Sequence, residues 1–132
     1  MMRLIKLNPK EEDNFRNYHI PGCSVDQRCT VNDWKFSKNN TLEHERKKFE
    51  IAFEIWKNGS SFLMECSVNN AKPDRIIDVL CLQSGVAFEI ETDFKRAKRF
   101  LGVEGTVVIP VGWNKNRLLE WAYLKSKHGS GN

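Results

Sequence analysis

The sequence predicts an α/β domain built on a mixed four-stranded sheet that helices flank. From residue 40 onward the local patterns follow the order helix, strand, strand, strand, helix, strand. Short turns join the first three strands, which makes them antiparallel neighbours, and a crossover helix leads into the fourth. With 132 residues, of which 40% are hydrophobic and 29% charged, the chain can form a single core.

The long helix is predicted over residues 40–57. Asn40 is the expected N-cap, with Glu43 three residues later as its capping-box partner, and Asn58 with Gly59 is the expected stop. Plotted at 100° per residue, one arc carries Glu43, Arg46, Lys47, Glu50, Glu54 and Lys57. The rest of the circumference, which we expect to face the sheet, carries Leu42, Phe49, Ile51, Ala52, Phe53, Ile55 and Trp56.

Three charged or polar residues interrupt the sheet-facing arc near the helix start, namely His44, Glu45 and Lys48. A charge on a surface that faces the core costs several kcal/mol unless it is paired or reaches water. One interpretation is a frayed helix start whose side chains extend into solvent. The other is that this end of the helix borders a polar cleft.

The strands are predicted over residues 62–66, 76–82, 86–91 and 106–109, with a short basic helix from about 93 to 102 and a last helix over 116–127. This divides the chain into an extension (1–39), a core (40–128) and a flexible tail (129–132). Within the extension, residues 3–7 and 30–36 resemble short strands.

The hairpin between the second and third strands carries three acidic residues on one face. If Ser84 and Gly85 form a two-residue loop, Asp78 lies opposite Glu91 and Glu89 lies on the same side of the sheet. A four-residue loop preserves this arrangement, and a three-residue loop without a bulge breaks it.

These carboxylates repel one another at neutral pH, so a raised pKa, a basic partner or a divalent cation must compensate. Ligation by carboxylate oxygens alone suits Mg²⁺ or Mn²⁺. The alternative is a solvated acidic face on an edge hairpin.

A basic cluster follows the hairpin within five residues, at Lys95, Arg96, Lys98 and Arg99. Together with a net charge of +4, it favours contact with nucleic-acid phosphates. A solvated helix face is the simpler interpretation of such a run.

The sequence positions of the four cysteines predict different roles for them. Cys66 and Cys81 lie in apolar strands and are expected in the core. Cys23 and Cys29 could bind zinc together with His19, or form a disulfide with each other, and both alternatives stay open.

The chain has neither a signal-peptide pattern nor an apolar run of the roughly 20 residues that span a membrane. We therefore expect a cytoplasmic protein with reduced thiols and no membrane association.

Two segments resemble the PD-(D/E)xK nuclease superfamily, which has the restriction-endonuclease-like core in the same αβββαβ order. They are residues 72–79 (KPDRIIDV) and 86–91 (VAFEIE), and the resemblance covers about residues 40–111. Within the superfamily the chain is most similar to competence nuclease-like proteins of the CoiA type. The matching positions are Glu43-His44, Lys48, Arg75-Ile76-Ile77-Asp78-Val79 and Glu89-Ile90-Glu91.

The resemblance implies a nuclease that uses Mg²⁺ or Mn²⁺ and acts on nucleic acid, with DNA as the expected substrate. Asp78 and Glu89 would be the metal ligands, with the Ile90 carbonyl as a further ligand and Asp74 as an alternative to Asp78.

One position departs from the family pattern. Glu91 stands where these proteins carry a catalytic Lys or Gln, so Lys48, Lys95 or Lys98 would have to supply an ammonium group. A non-catalytic nucleic-acid-binding relative is the second hypothesis, and an interaction protein on the same scaffold is the third. Whether the chain acts as a homodimer is open.

Overall fold

The computed structural model describes residues 7–17, 23–71, 75–91 and 106–110, which form an α/β structure with a five-stranded mixed sheet and two helices. The elements are α1 (Pro9–Arg16), β1 (Ser24–Val25), α2 (Leu42–Lys57), β2 (Phe62–Asn69), β3 (Arg75–Cys81), β4 (Ala87–Glu91) and β5 (Thr106–Pro110). The four strands predicted from the sequence are confirmed as β2 to β5.

The sheet follows the order of the chain, from β1 at one side to β5 at the other. Strands β1 to β4 pair antiparallel, and β5 pairs parallel to β4 with Phe88 opposite Val107 and Ile90 opposite Ile109. A parallel pair requires a crossover connection, and the residues between β4 and β5 lie outside the described ranges. The helices predicted at 93–102 and 116–127, and the tail at 129–132, lie outside the described residues.

The β3–β4 turn is longer than the sequence predicted. Val79 pairs with Phe88 and Leu80 with Ala87, the Cys81 N–H donates to the Val86 carbonyl, and four residues form the turn. The predicted two-residue loop is therefore wrong, but the shift is even, and Val79, Cys81, Phe88 and Ile90 share one side of the sheet as predicted. One step along this register, Asp78 lies opposite Glu89 rather than Glu91.

Helix α2 begins one residue later than predicted. The hydroxyl of Thr41 accepts the His44 N–H at 3.2 Å, so Thr41 is the N-cap and the assignment to Asn40 is wrong. The side chain of Asn40 is used elsewhere, because its amide donates to Glu45 at 2.8 Å. The predicted stop is confirmed at Asn58.

Two apolar clusters lie on the two sides of the sheet. Helix α2 contacts β2, β3 and β4, and it covers the cluster formed by Ile51, Ala52, Phe62, Met64, Val79, Cys81, Phe88, Ile90 and Ile109. The opposite cluster contains Val25, Cys29, Leu63, Cys66, Val68, Ile77, Leu80, Leu82 and Ala87. Residues of the N-terminal extension, including Leu7, Phe15 and Val31, pack against this second cluster.

The face of α2 that meets the sheet is narrower than the sequence predicted. Lys47 is buried although it was assigned to the solvent arc. Conversely, Leu42, Phe49, Phe53 and Trp56 are exposed, although they were expected to face the sheet. The assignment of the whole apolar arc to the sheet was therefore wrong. The buried residues of α2 are Glu45, Lys47, Lys48, Ile51 and Ala52.

The N-terminal extension joins the sheet and fastens the β3–β4 turn. Helix α1, which the sequence did not predict, starts with a capping box between Asn8 and Glu11. Asn14 donates to the Leu82 carbonyl at 2.6 Å, and the buried Glu11 accepts the Ser61 N–H at 2.8 Å. The strand predicted at 30–36 is wrong, because these residues form turns and loop. Of the strand predicted at 3–7, only Leu7 is described.

The cysteine pairing differs from both alternatives that the sequence left open. A disulfide joins Cys29 to Cys66, which excludes the Cys23–Cys29 pair and removes Cys29 as a thiolate ligand for zinc. The expectation of fully reduced thiols is corrected by the same bond, while Cys81 is a free core residue as predicted. His19 lies outside the described residues. Neither helix in the described ranges is long and apolar enough to cross a membrane.

Candidate functional site

Side-chain hydrogen bonds extend the β3–β4 pairing at Asp78 and Glu89. The Ile90 N–H donates to Asp78 Oδ2 at 2.8 Å. In return, the Asp78 backbone N–H donates to the Glu89 carboxylate. Each strand therefore holds the carboxylate of the other, and the two acidic groups are drawn together between β3 and β4.

Glu89 is the most strongly perturbed acid of the site. Its side chain is 4% exposed. Burial, followed by the negative charge of Asp78, raises the pKa of Glu89 to about 8, although Arg75 acts in the opposite direction. A carboxyl group in this environment favours a proton or a cation beside it.

Arg75 provides part of the compensating positive charge. Its Nη2 lies 3.2 Å from Glu89 Oε1 and 2.7 Å from the hydroxyl of Thr106 on β5. The guanidinium group therefore joins β3, β4 and β5 beneath the acidic pair. Arg75 belongs to the motif that carries the family resemblance, yet the sequence assigned it no role.

The start of α2 reaches the same acidic pair. His44 Nε2 lies 3.4 Å from Asp78 Oδ1, and each of the two side chains is 14% exposed. His44 Nε2 is buried and forms no hydrogen bond to any described residue. The expectation that the first turns of α2 lie against the hairpin carboxylates is thus confirmed for His44, while its catalytic role stays a prediction.

Lys48 lies in a closed network rather than against Asp78. Its ammonium group donates to Glu65 Oε1 at 2.7 Å, to Glu45 Oε1 at 3.1 Å and to the Lys35 carbonyl at 2.7 Å. An ammonium has three protons, and all three have acceptors here. In this arrangement Lys48 neutralises Glu45 and Glu65 and links α2 to β2. Its catalytic role stays a prediction.

Glu45 and Glu65 share further donors. Asn40 donates to Glu45 at 2.8 Å and to Glu65 at 3.3 Å. Burial raises the pKa of Glu45, but hydrogen bonds from Asn40 and Lys48 outweigh it, so that the pKa is lowered overall. Glu45 therefore serves as an ionised partner of Lys48.

Glu65 was not identified from the sequence and interrupts β2. Its φ of 50° lies in the left-handed region, which is uncommon for a residue with a side chain. Met64 packs on the α2 side of the sheet, whereas Cys66 packs on the opposite side, so the alternation of the strand breaks at Glu65. The only signal in the sequence is one acidic residue inside the apolar run 62–66.

Glu91 lies at the end of β4, opposite Pro110 of β5. Its position on the same side of the sheet as Glu89 stays a prediction. Within the described ranges, no three His, Cys, Asp or Glu side chains are grouped so that they could hold a metal ion. Asp78 and Glu89 form a pair, and one or two carboxylates completed by water and phosphate oxygens are a common environment for Mg²⁺.

The predicted nucleic-acid contacts Lys95, Arg96, Lys98 and Arg99 lie outside the described residues, as does Asp74. Comparison with protein-family models, curated proteins and solved structures finds no match for this chain. The function must therefore be argued from the site itself.

Proposed function

We propose that this chain is a metal-dependent nuclease of the PD-(D/E)xK type, which binds Mg²⁺ or Mn²⁺ through Asp78 and Glu89. The observation that carries the proposal is the buried Asp78–Glu89 pair, in which Glu89 has a pKa of about 8. Arg75 supplies only part of the positive charge that two carboxylates held together by backbone N–H groups require. A divalent cation supplies that charge with the oxygen ligands it prefers.

Each residue of the site has a definite task in this proposal. A metal ion bound at such a site activates a water molecule and neutralises the charge that develops on the phosphate. Asp78 and Glu89 supply ligand oxygens, the Ile90 N–H orients the Asp78 carboxylate, and His44 Nε2 lies beside it at 3.4 Å. Glu91 stands where the family carries Lys and would orient the attacking water, with Lys95 or Lys98 completing the positive charge around the phosphate.

The restriction-endonuclease-like core is part of the same proposal. The order α2, β2, β3, β4 and then a parallel β5 supports it. The expected substrate is nucleic acid, with DNA favoured, because the basic residues that follow β4 suit phosphate contacts.

A plasmid-nicking assay tests the proposal. Wild-type protein should nick supercoiled DNA with Mg²⁺ or Mn²⁺ and lose this activity in a chelator. Asp78→Asn and Glu89→Gln, like Asp78→Ala and Glu89→Ala, should each lose essentially all activity, because they remove a charged ligand oxygen. The two amide variants should also remain folded, since they keep the volume of the original side chains. Asp13→Asn, an exposed change on α1, is the matched control and should retain activity. Metal-dependent cleavage that persists in the Asp78 and Glu89 variants would reject this site.

A non-catalytic nucleic-acid-binding protein is the second candidate, and one observation favours it. Lys48, one of the three lysines expected to supply an ammonium group in place of Glu91, already has its three protons engaged by Glu45, Glu65 and the Lys35 carbonyl. Binding of DNA in a chelator, without cleavage under any divalent metal, is the result that this candidate predicts.

A further inference from the structure

A row of aromatic rings runs along the outer side of α2, and we call it the aromatic row. It consists of Phe36, Trp34, Phe49, Phe53 and Trp56, in this spatial order. Successive ring centroids lie 5.3, 5.3, 5.8 and 6.1 Å apart. The rings therefore form one continuous apolar strip rather than isolated surface residues.

The row is open to solvent along most of its length. Phe36 is 77% exposed, Trp56 57% and Phe49 53%, and Leu42 on the same side of α2 is 61% exposed. Scattered apolar residues on a surface are ordinary, but a contiguous aromatic strip on a small domain marks an interaction surface.

The row is connected to the first turns of α2 through the loop that precedes this helix. The carbonyl of Lys35, which lies between Trp34 and Phe36, accepts a hydrogen bond from Lys48. His44, which contacts Asp78, lies one helical turn before Lys48. From Phe49 to Trp56 the row continues along α2 for about 10 Å, at 1.5 Å per residue.

Cations border the row. At 100° per residue, Arg46 and Lys57 project just beside the strip of Phe49, Phe53 and Trp56, and both are exposed. Lys38 is exposed near Phe36. Acids lie near the row as well: Asp33 and Glu43 are exposed, whereas Glu50 is paired with Lys47 at 2.8 Å, which reduces its repulsion of an anion.

We propose that the aromatic row is a stacking platform for unpaired bases, so that the substrate of this chain is single-stranded nucleic acid. The inference rests on the proposed function and names its substrate class. Every base has an aromatic face, and rings with cations beside them bind single strands by combining base stacking with phosphate contacts. A duplex keeps its base faces covered, so it can use the cations but not the rings.

The test compares the affinity for a fluorescein-labelled oligothymidine of about 20 nucleotides with that for a duplex of the same length, by anisotropy in a chelator. Phe49→Leu, Phe53→Leu and Trp56→Leu keep an apolar side chain and remove the ring. Each should weaken single-strand binding roughly tenfold and leave duplex binding unchanged. Ile76→Leu is the matched control, because Ile76 is an equally exposed apolar residue on β3, away from the row.

Several results would overturn the inference. The leucine variants could bind the oligothymidine as tightly as wild type, or lose single-strand and duplex binding equally. Serine variants at the same three positions test a further alternative. If they change the oligomeric state or the unfolding midpoint, while the leucine variants bind the oligothymidine like wild type, the row packs against protein. That protein is either a second copy or another segment of this chain.

The outcome is separable from that of the nuclease proposal. Binding is measured without metal, so a protein that cleaves nothing can still show ring-dependent single-strand binding, which supports the platform alone. A protein that nicks DNA in an Asp78-dependent way but shows no ring dependence retains the nuclease function and loses the platform.

Discussion

At the scale of single residues, Glu89 is the group whose state decides the charge of the site. Its side chain is almost completely buried, and the negative charge of Asp78 repels its ionised form. The Arg75 Nη2 atom, 3.2 Å from Glu89 Oε1, offsets only part of this effect. Because the pKa is raised from 4.5 to about 8, the folded protein retains a proton on Glu89 at neutral pH that the unfolded chain has released. Any divalent ion bound there must displace this proton.

This proton makes stability depend on pH in a defined direction. The contribution of Glu89 is fully present below pH 4.5 and is lost as the pH rises through about 8. In a chelator, the free energy of unfolding should therefore fall with pH by roughly 1 kcal/mol per unit between these limits. Urea unfolding at about pH 5.5, 7 and 8.5 measures it, and Glu89→Gln should remove the dependence.

The control for this prediction is Glu12→Gln, since Glu12 is a half-exposed acid paired with Arg16 on α1. It should leave the pH dependence unchanged. Parallel pH profiles for wild type and Glu89→Gln would show that Glu89 titrates normally.

Some residues of the site could be predicted from the sequence and others could not. Glu89 follows from strand alternation, since Phe88 and Ile90 on either side of it both pack on the α2 side of the sheet. The orientation of Asp78 does not, because Ile77 and Val79 pack on opposite sides and the alternation of β3 breaks between them. Arg75 and Glu65 do not, because the contacts of Arg75 with Glu89 and Thr106, and the left-handed backbone of Glu65, arise only when distant strands meet.

At the scale of elements, the first turns of α2 combine burial with charge. Lys48 is fully buried, and its position is tolerable because Glu45, Glu65 and the Lys35 carbonyl surround the ammonium group. Removing one partner of a buried ion pair is costly because it leaves the other charges uncompensated.

Lys48→Met should lower the free energy of unfolding by about 3–5 kcal/mol, because Glu45 and Glu65 then repel each other in a poorly solvated place. The double variant Lys48→Met/Glu65→Gln should recover part of the loss. Arg16→Met, which breaks the exposed pair with Glu12, is the control and should cost less than about 1 kcal/mol. Urea denaturation measures all three, and a loss in Lys48→Met no larger than in the control would contradict the network.

The prediction of α2 succeeded on its existence and end and failed on its exposed face. A helical plot counts apolar residues but contains no information on how wide a surface the sheet offers. The sheet covers only the stripe through Lys48, Ile51 and Ala52, which leaves Phe49, Phe53 and Trp56 outside. The aromatic row is therefore a result of packing that no local pattern contains.

At the scale of the whole molecule, the N-terminal extension holds the sheet that positions the site. Helix α1 binds the β3–β4 turn through Asn14 and Leu82, and Glu11 satisfies the buried N–H of Ser61. The disulfide between Cys29 and Cys66 anchors the loop after β1 to the middle of β2, next to Glu65. The sequence could not predict this pairing, because connectivity among several cysteines is not deducible from their spacing.

The disulfide gives the last prediction. It closes a loop with a sequence separation of 37, so in the chain-entropy account it stabilises the fold by about 2–4 kcal/mol relative to the reduced protein. Wild-type protein treated with a thiol reductant should therefore unfold at lower urea concentration than untreated protein. Cys29→Ser cannot form the disulfide, so it should unfold at the same lowered urea concentration with and without the reductant. Cys23→Ser, which removes a free cysteine, should respond to the reductant as wild type does. Two results together would show that the pair is not oxidised. The unfolding midpoint of wild type would be the same with and without the reductant, and both thiols would react with a thiol reagent after denaturation without reduction.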